Sequence, residues 1–198
     1  MEPEDVPSWR KLLEGPSDFD KSREIDSPKV ANPIEYVYVE RPVGLFLKSA
    51  GSILKDGEVC AAIPQGLQWD RAGVIDWHGG DPWTFEIRYN SGGEISYLGW
   101  IGISGPEGVL ATYSRDAVFL TVTLSSIGAK VTELKSHGTR LEIWVDGSFA
   151  AEQLYVWRDS DAARGIECRA YVDGTQRGER ALAVLLLILG YFSRVGQL

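Results

Sequence analysis

The sequence predicts a mainly β fold: a closed antiparallel barrel of about twelve strands around a hydrophobic C-terminal helix, with a β-sandwich or jelly roll as the alternative. Three observations predict it. Short runs of strand-forming residues recur about every 8–14 residues along most of the 198-residue chain. Turn dipeptides such as Asp56-Gly57, Asp146-Gly147 and Asp173-Gly174 separate or end several of them. The chain then reaches one apolar run at 181–192 (ALAVLLLILGYF), which shows no polar face from Ala181 to Leu189.

Residues 1–33 are set apart as an irregular acidic extension. Six of the nine prolines fall before residue 43, and Glu14-Gly-Pro-Ser-Asp reads as loop. Ser8 is a candidate N-cap for a short helical turn, and Trp9, Leu12 and Leu13 are candidates for docking the extension onto the body or a partner.

Residues 34–198 form the expected barrel domain. Residues 34–40 (IEYVYVE) and 43–48 (VGLFLK) read as strands, and 52–63 reads as a hairpin turning at Asp56-Gly57. Residues 73–77 are short, and 83–89 (WTFEIRY) alternate strictly before Asn90, Ser91, Gly92 and Gly93. Residues 94–103 follow, then a turn from Gly105 to Gly108. The series continues with 109–113, 117–124, 129–134, 139–145, 148–157 and 165–172. No fixed repeat period stands out, which argues against a propeller.

The closing helix carries the most information. A helix apolar all round is buried on every side or lies in lipid. Twelve residues fall short of the roughly 20 needed to span a bilayer, so a buried helix is expected and a transmembrane span is not. At about 1.5 Å per residue it is roughly 18 Å long, matched to strands of about 5–6 residues.

Charge and composition exclude several classes. The 28 acidic against 20 basic residues give a net charge of −8, which disfavours non-specific nucleic-acid binding and adsorption on anionic membranes. Two cysteines do not make a disulfide scaffold or a four-cysteine zinc site, and two histidines do not make a three-histidine metal centre. The acidic start lacks a signal peptide's basic and apolar regions, so a cytoplasmic chain with reduced thiols is expected. No nucleotide loop or Gly-x-Ser-x-Gly elbow is present, and no catalytic residue, metal or cofactor is assigned.

Two constellations are candidate ligand sites. Asp76, Trp77, His78, Asp81 and Trp83 join carboxylates, an imidazole and two stacking rings in eight residues. Arg158, Arg164 and Arg169 belong to an arginine-bearing C-terminal third that would form an anion site if three guanidiniums met. Acidic residues interleave with them. Cys60 and Cys168 fall on expected strands as small apolar groups.

With these residues in place, the chain resembles the tubby-like superfamily, which includes tubby C-terminal domains, phospholipid scramblases and the plant LURP-one-related proteins. The resemblance rests on the strand count and on the closing segment from Tyr171-Val-Asp-Gly through 179–192, and covers about residues 34–192. It implies a twelve-stranded barrel threaded by its last helix. It also implies a lipid-like ligand, yet the basic clusters with which tubby domains hold phosphoinositides are absent. The 14 basic residues from 43 onward are scattered among 18 acidic ones. The expected function is therefore a non-enzymatic module that binds a partner protein or a lipid-like or anionic ligand. The alternative is a carbohydrate-binding or carbohydrate-active jelly roll, because the 141–149 segment (LEIWVDGSF) is similar to strand-turn-strand units of concanavalin-like lectins.

Overall fold

The computed structural model describes residues 28–43, 48–67, 71–92, 95–115, 120–124, 129–137, 140–145, 147–154 and 166–194. Among these, β1 (Pro33–Val43), β2 (Lys48–Lys55), β3 (Glu58–Ile63) and β4 (Ala72–Trp77) come first. They are followed by β5 (Trp83–Gly92), β6 (Ile95–Gly105), β7 (Gly108–Arg115) and β8 (Leu120–Leu124). The last strands are β9 (Ala129–His137), β10 (Arg140–Val145), β11 (Ser148–Leu154) and β12 (Ile166–Asp173), and the chain then enters helix α1 (Glu179–Arg194). The protein is mainly β, an antiparallel sheet with one C-terminal helix.

The strands pair in chain order, and β12 pairs with β1 as well as with β11. Pairing is extensive along β1, where eight residue pairs join it to β12 and eight to β2. It thins to two pairs at β3–β4 (Ala61↔Trp77, Ala62↔Asp76) and two at β8–β9. Antiparallel order places the β2–β3, β4–β5, β6–β7 and β10–β11 turns at one end of the sheet. The segment leading into α1 lies at that same end.

Local chemistry explains the turns. Lys55 pairs with Glu58, so Asp56 and Gly57 alone make the β2–β3 turn. Their φ angles of 48° and 86° are the left-handed pair that a two-residue hairpin needs, and Asp-Gly adopts it with little strain. The 43–48 segment expected as a strand divides differently. Arg41, Pro42 and Val43 extend β1, β2 begins at Lys48, and 44–47 lie outside the described residues. β8 is described from Leu120 and β11 as far as Leu154, and the remaining residues expected in those strands also lie outside.

The core lies between the sheet and α1. Residues 181–192 are all buried, none more than 3% exposed where a value is given. The helix touches β1, β6, β7, β11 and β12, strands from both halves of the chain. Alternate strand residues meet it: Tyr36 and Tyr38 from β1, Phe85 and Ile87 from β5, Ile101 and Ile103 from β6, Ala170 and Val172 from β12 join one cluster. Each fully buried leucine or isoleucine contributes about 1.5–3 kcal/mol relative to exposure. At the helix C-terminal half, Tyr191 sits edge-on to both Tyr38 and Phe192, at 6.1 and 5.2 Å between ring centroids.

Gly190 sets the closest approach of sheet to helix. A Cβ placed there would lie 1.2 Å from Nε2 of the buried Gln153 on β11. The bare backbone admits the amide side chain into the helix surface. Gly190→Ala is expected to cost about 1–3 kcal/mol in urea unfolding, by overpacking. Truncating Gln153→Ala in the same chain should recover at least about 0.5 kcal/mol of that as coupling energy. Strict additivity would show that the two positions do not compete for space.

Candidate functional site

The aromatic candidates gather at the end of the sheet where α1 begins. Ile75 and Trp77 alternate with exposed neighbours on β4, so Trp77 points to the core and is 5% exposed. Trp83 follows on β5, half-buried and opposite Ile75. The two indoles meet edge-on, 4.9 Å between centroids and 65° between planes. The guanidinium of Arg180, in the first turn of α1, sits 5.3 Å from the Trp77 ring centre. The surface on which Trp77 would stack a sugar is thus shared with Trp83 and Arg180. Its Nε1 is buried and has no hydrogen-bond partner among the described residues.

The polar members of that segment are turned the other way. Asp76 is exposed on β4, and His78 and Asp81 are exposed in the connection that follows, where Gly79 takes φ 74°. The His78 amide N–H donates to the Cys60 carbonyl at 2.9 Å, which ties the turn to β3. Among the described residues, no three His, Cys, Asp or Glu side chains gather to hold a metal ion. The β4–β5 hairpin therefore separates the candidates by strand alternation, rings inward and charges outward.

Around the start of α1, Glu179 accepts hydrogen bonds from Lys55 Nζ at 2.7 Å and Tyr36 Oη at 3.0 Å. Burial first, then the Glu179 charge, holds the Tyr36 phenol well above its ordinary range. Burial also pushes the Cys60 thiol up, against the opposing charges of Arg180 and Lys55. Cys60 therefore carries less thiolate than an ordinary cysteine. Cys168 is buried beside the helix. Deeper in the core, Glu40 is 2% exposed, and one of its oxygens accepts from Tyr38 Oη and, at 2.8 Å, from the Leu67 amide. Burial and the Glu40 charge raise the Tyr38 phenol.

The arginine candidates divide. Arg158 and Arg164 lie outside the described residues. Arg169 lies on the outer side of β12, 3.6 Å from Glu35 of β1. That carboxylate also accepts a hydrogen bond from Tyr171 Oη at 2.9 Å. Arg169 thus faces an acid across its own sheet.

A row of polar residues missed in the sequence runs across this outer face. Strand register places Glu142 of β10 opposite Glu152 of β11, Glu152 opposite Tyr171 of β12, and Tyr171 opposite Glu35. Directly opposed side chains have Cβ atoms about 4.5–5.5 Å apart, and like charges there repel. Yet Glu142 is 7% exposed and Glu152 is 0% exposed. The segment 28–32 lies against them. The Lys29 amide N–H donates to Glu152 Oε1 at 2.5 Å, the Lys29 ammonium is 3.6 Å from Glu142 Oε1, and Val30 is buried. Residues 35, 142, 152 and 171 are too far apart in sequence for any local pattern to join them. Only the register of four strands does so.

Two outcomes are expected. Trp77→Ala should cost about 3–5 kcal/mol in urea unfolding, as loss of a core indole, whereas Arg180→Ala should cost about 0.5–1 kcal/mol. Comparable small losses would mean that Trp77 is not a core element. The second concerns Tyr171, whose phenol is pushed up from 10.0 to about 12, first by burial and then by the Glu35 charge. A raised folded-state pKa contributes stability that is present below the unfolded value and lost above it. The urea midpoint should therefore fall as pH rises from 10 to 12, and fall less in Tyr171→Phe.

No family model, curated protein or solved structure matches the chain, so its function is read from its own residues.

Proposed function

We propose that the chain is a non-enzymatic binding module in which the sheet closes into a tubby-like barrel around α1 and a partner protein is met on the outer surface. The observation that carries this reading is the burial of the whole 181–192 run. The volume that a lipid-carrying barrel would leave open is occupied by the protein's own leucines. Closure is supported by the β12–β1 pairing, with the two-pair contacts β3–β4 and β8–β9 as its weakest seams. Recognition then falls to side chains that point away from the helix.

The outer surface favours a protein over an anionic headgroup. The net charge is −8, and Arg169 is held by Glu35. A carbohydrate platform at Trp77 and Trp83 would require Trp77 to leave Arg180 and the core.

The test uses the full chain with a photo-reactive residue in place of exposed Thr84. A saturable protein cross-link is expected, with no sedimentation on phosphatidylcholine vesicles containing phosphatidylserine or phosphatidylinositol bisphosphate, and no signal on a glycan array. Saturable pelleting with the anionic vesicles would replace this reading with a lipid ligand. Glycan retention lost in Trp83→Ala would replace it with the carbohydrate reading.

A further inference from the structure

The outer face of β4–β7 carries features that packing of the core does not explain. Among the described residues, two large aliphatic side chains are left exposed, Val74 at 45% and Val109 at 49%. They lie on different strands, yet register joins them in one row. Val74 of β4 stands opposite Thr84 of β5, Thr84 opposite Ser104 of β6, and Ser104 opposite Val109 of β7. Four strands about 4.8 Å apart make this row roughly 14 Å long. Its chemistry reads the same from either end: valine, small hydroxyl, small hydroxyl, valine. Further along the same strands, Arg88 of β5 stands opposite Trp100 of β6, with its guanidinium 4.6 Å from the indole centre. The half-buried indole extends along β6 over Gly102, where a Cβ would collide with it. Arg88 also pairs with Glu86 at 2.8 Å, and the two side chains remain 63% and 49% exposed.

We propose that this face is a contact surface for a second copy of the chain, related to the first by a twofold axis that runs along the strands between β5 and β6. The proposal rests on the binding-module reading and deepens it by naming the protein partner. A twofold interface sets one patch against its own rotated copy, so the patch must be complementary to itself. The row meets that condition. The axis sets Val74 of each copy against Val109 of the other, and Thr84 against Ser104, so that both exposed valines are covered. It also sets β5 of each copy against β6 of the other. Arg88, which already leans over Trp100 of β6, then comes beside Glu86 of the second copy, and the exposed ion pair is completed across the axis. A tryptophan and an arginine in the middle of a contact with few charges are the composition that protein interfaces favour. The chain carries −8 overall, so two copies repel one another through most of their surface. Here Glu86 and Arg88 cancel, and Asp76, beyond Val74 on β4, falls at the rim, where salt screens it.

The test is sedimentation velocity of the full chain over a concentration series, with variants only at exposed outer positions. The parent chain should show a concentration-dependent dimer. Glu86→Arg and Arg88→Glu should each raise the dimer dissociation constant about tenfold or more, because like charges then face one another across the axis. Mixing these two variants, with one of them fluorescently labelled, should restore a dimer that contains one chain of each kind, because the arginines of one then meet the glutamates of the other. Under oxidising conditions, Val74→Cys mixed with Val109→Cys should give a disulfide-linked dimer that neither variant forms alone. A monomer at every concentration, a dimer that both charge variants leave unchanged, or a charge-variant mixture that stays monomeric overturns the proposal. A cross-link from position 84 to a different protein, while the chain itself stays monomeric, also overturns it and leaves the binding-module reading standing. A cross-link from position 84 to neither removes that reading as well.

Discussion

Everything in this structure depends on hiding a helix that has no polar side. A stripe-faced helix can rest on a sheet and show its other side to water. The α1 helix cannot, because Leu185, Leu186, Leu187, Ile188 and Leu189 follow one another around its whole circumference and all are buried. The strands must supply apolar side chains from more than one direction, and they do so from β1, β6, β7, β11 and β12. Period-two alternation then has a fixed meaning. One side of each strand belongs to the helix, and the other is free to carry polar chemistry.

That division explains how the candidate residues are arranged. Trp77 and Trp83 fall on the helix side with Ile75 and Phe85, so they join the core cluster. Asp76, His78 and Asp81 fall on the outer side or in the turn. The same phase puts Glu35, Tyr171, Glu152 and Glu142 outward on four neighbouring strands, where register lines them up. A one-residue slip in any of those strands would bring a carboxylate against α1. The acidic row and the apolar core therefore specify the register together.

Much of the architecture was legible in the sequence because its signals are local. The helix shows itself through twelve apolar residues in succession, and β5 through strict alternation. The Asp56-Gly57 turn shows itself through the left-handed backbone that those two residues tolerate. The site was far less legible. Clustering within eight residues drew notice to Asp76, Trp77, His78, Asp81 and Trp83, but nearness along a hairpin does not decide which side chains share a face. Arg169 suggested an anion site by its neighbours in sequence, whereas its neighbour in space is Glu35, on a strand more than a hundred residues earlier. Lys29 stood in the acidic extension with nothing to mark it. Contacts that depend on pairing between the first and last strands leave no trace in any short window.

The position of α1 after every strand has a consequence for synthesis. Successive hairpins form as the chain emerges from the ribosome, since almost every pairing joins neighbours in sequence. Their apolar faces nevertheless have no helix to pack against until α1 is made, and β1 waits for β12. The nascent chain is therefore a partly paired sheet with an uncovered greasy side until α1 emerges. A stop a few codons before 181 removes the core itself rather than a tail. For this molecule, the core condenses only after α1 has left the ribosome.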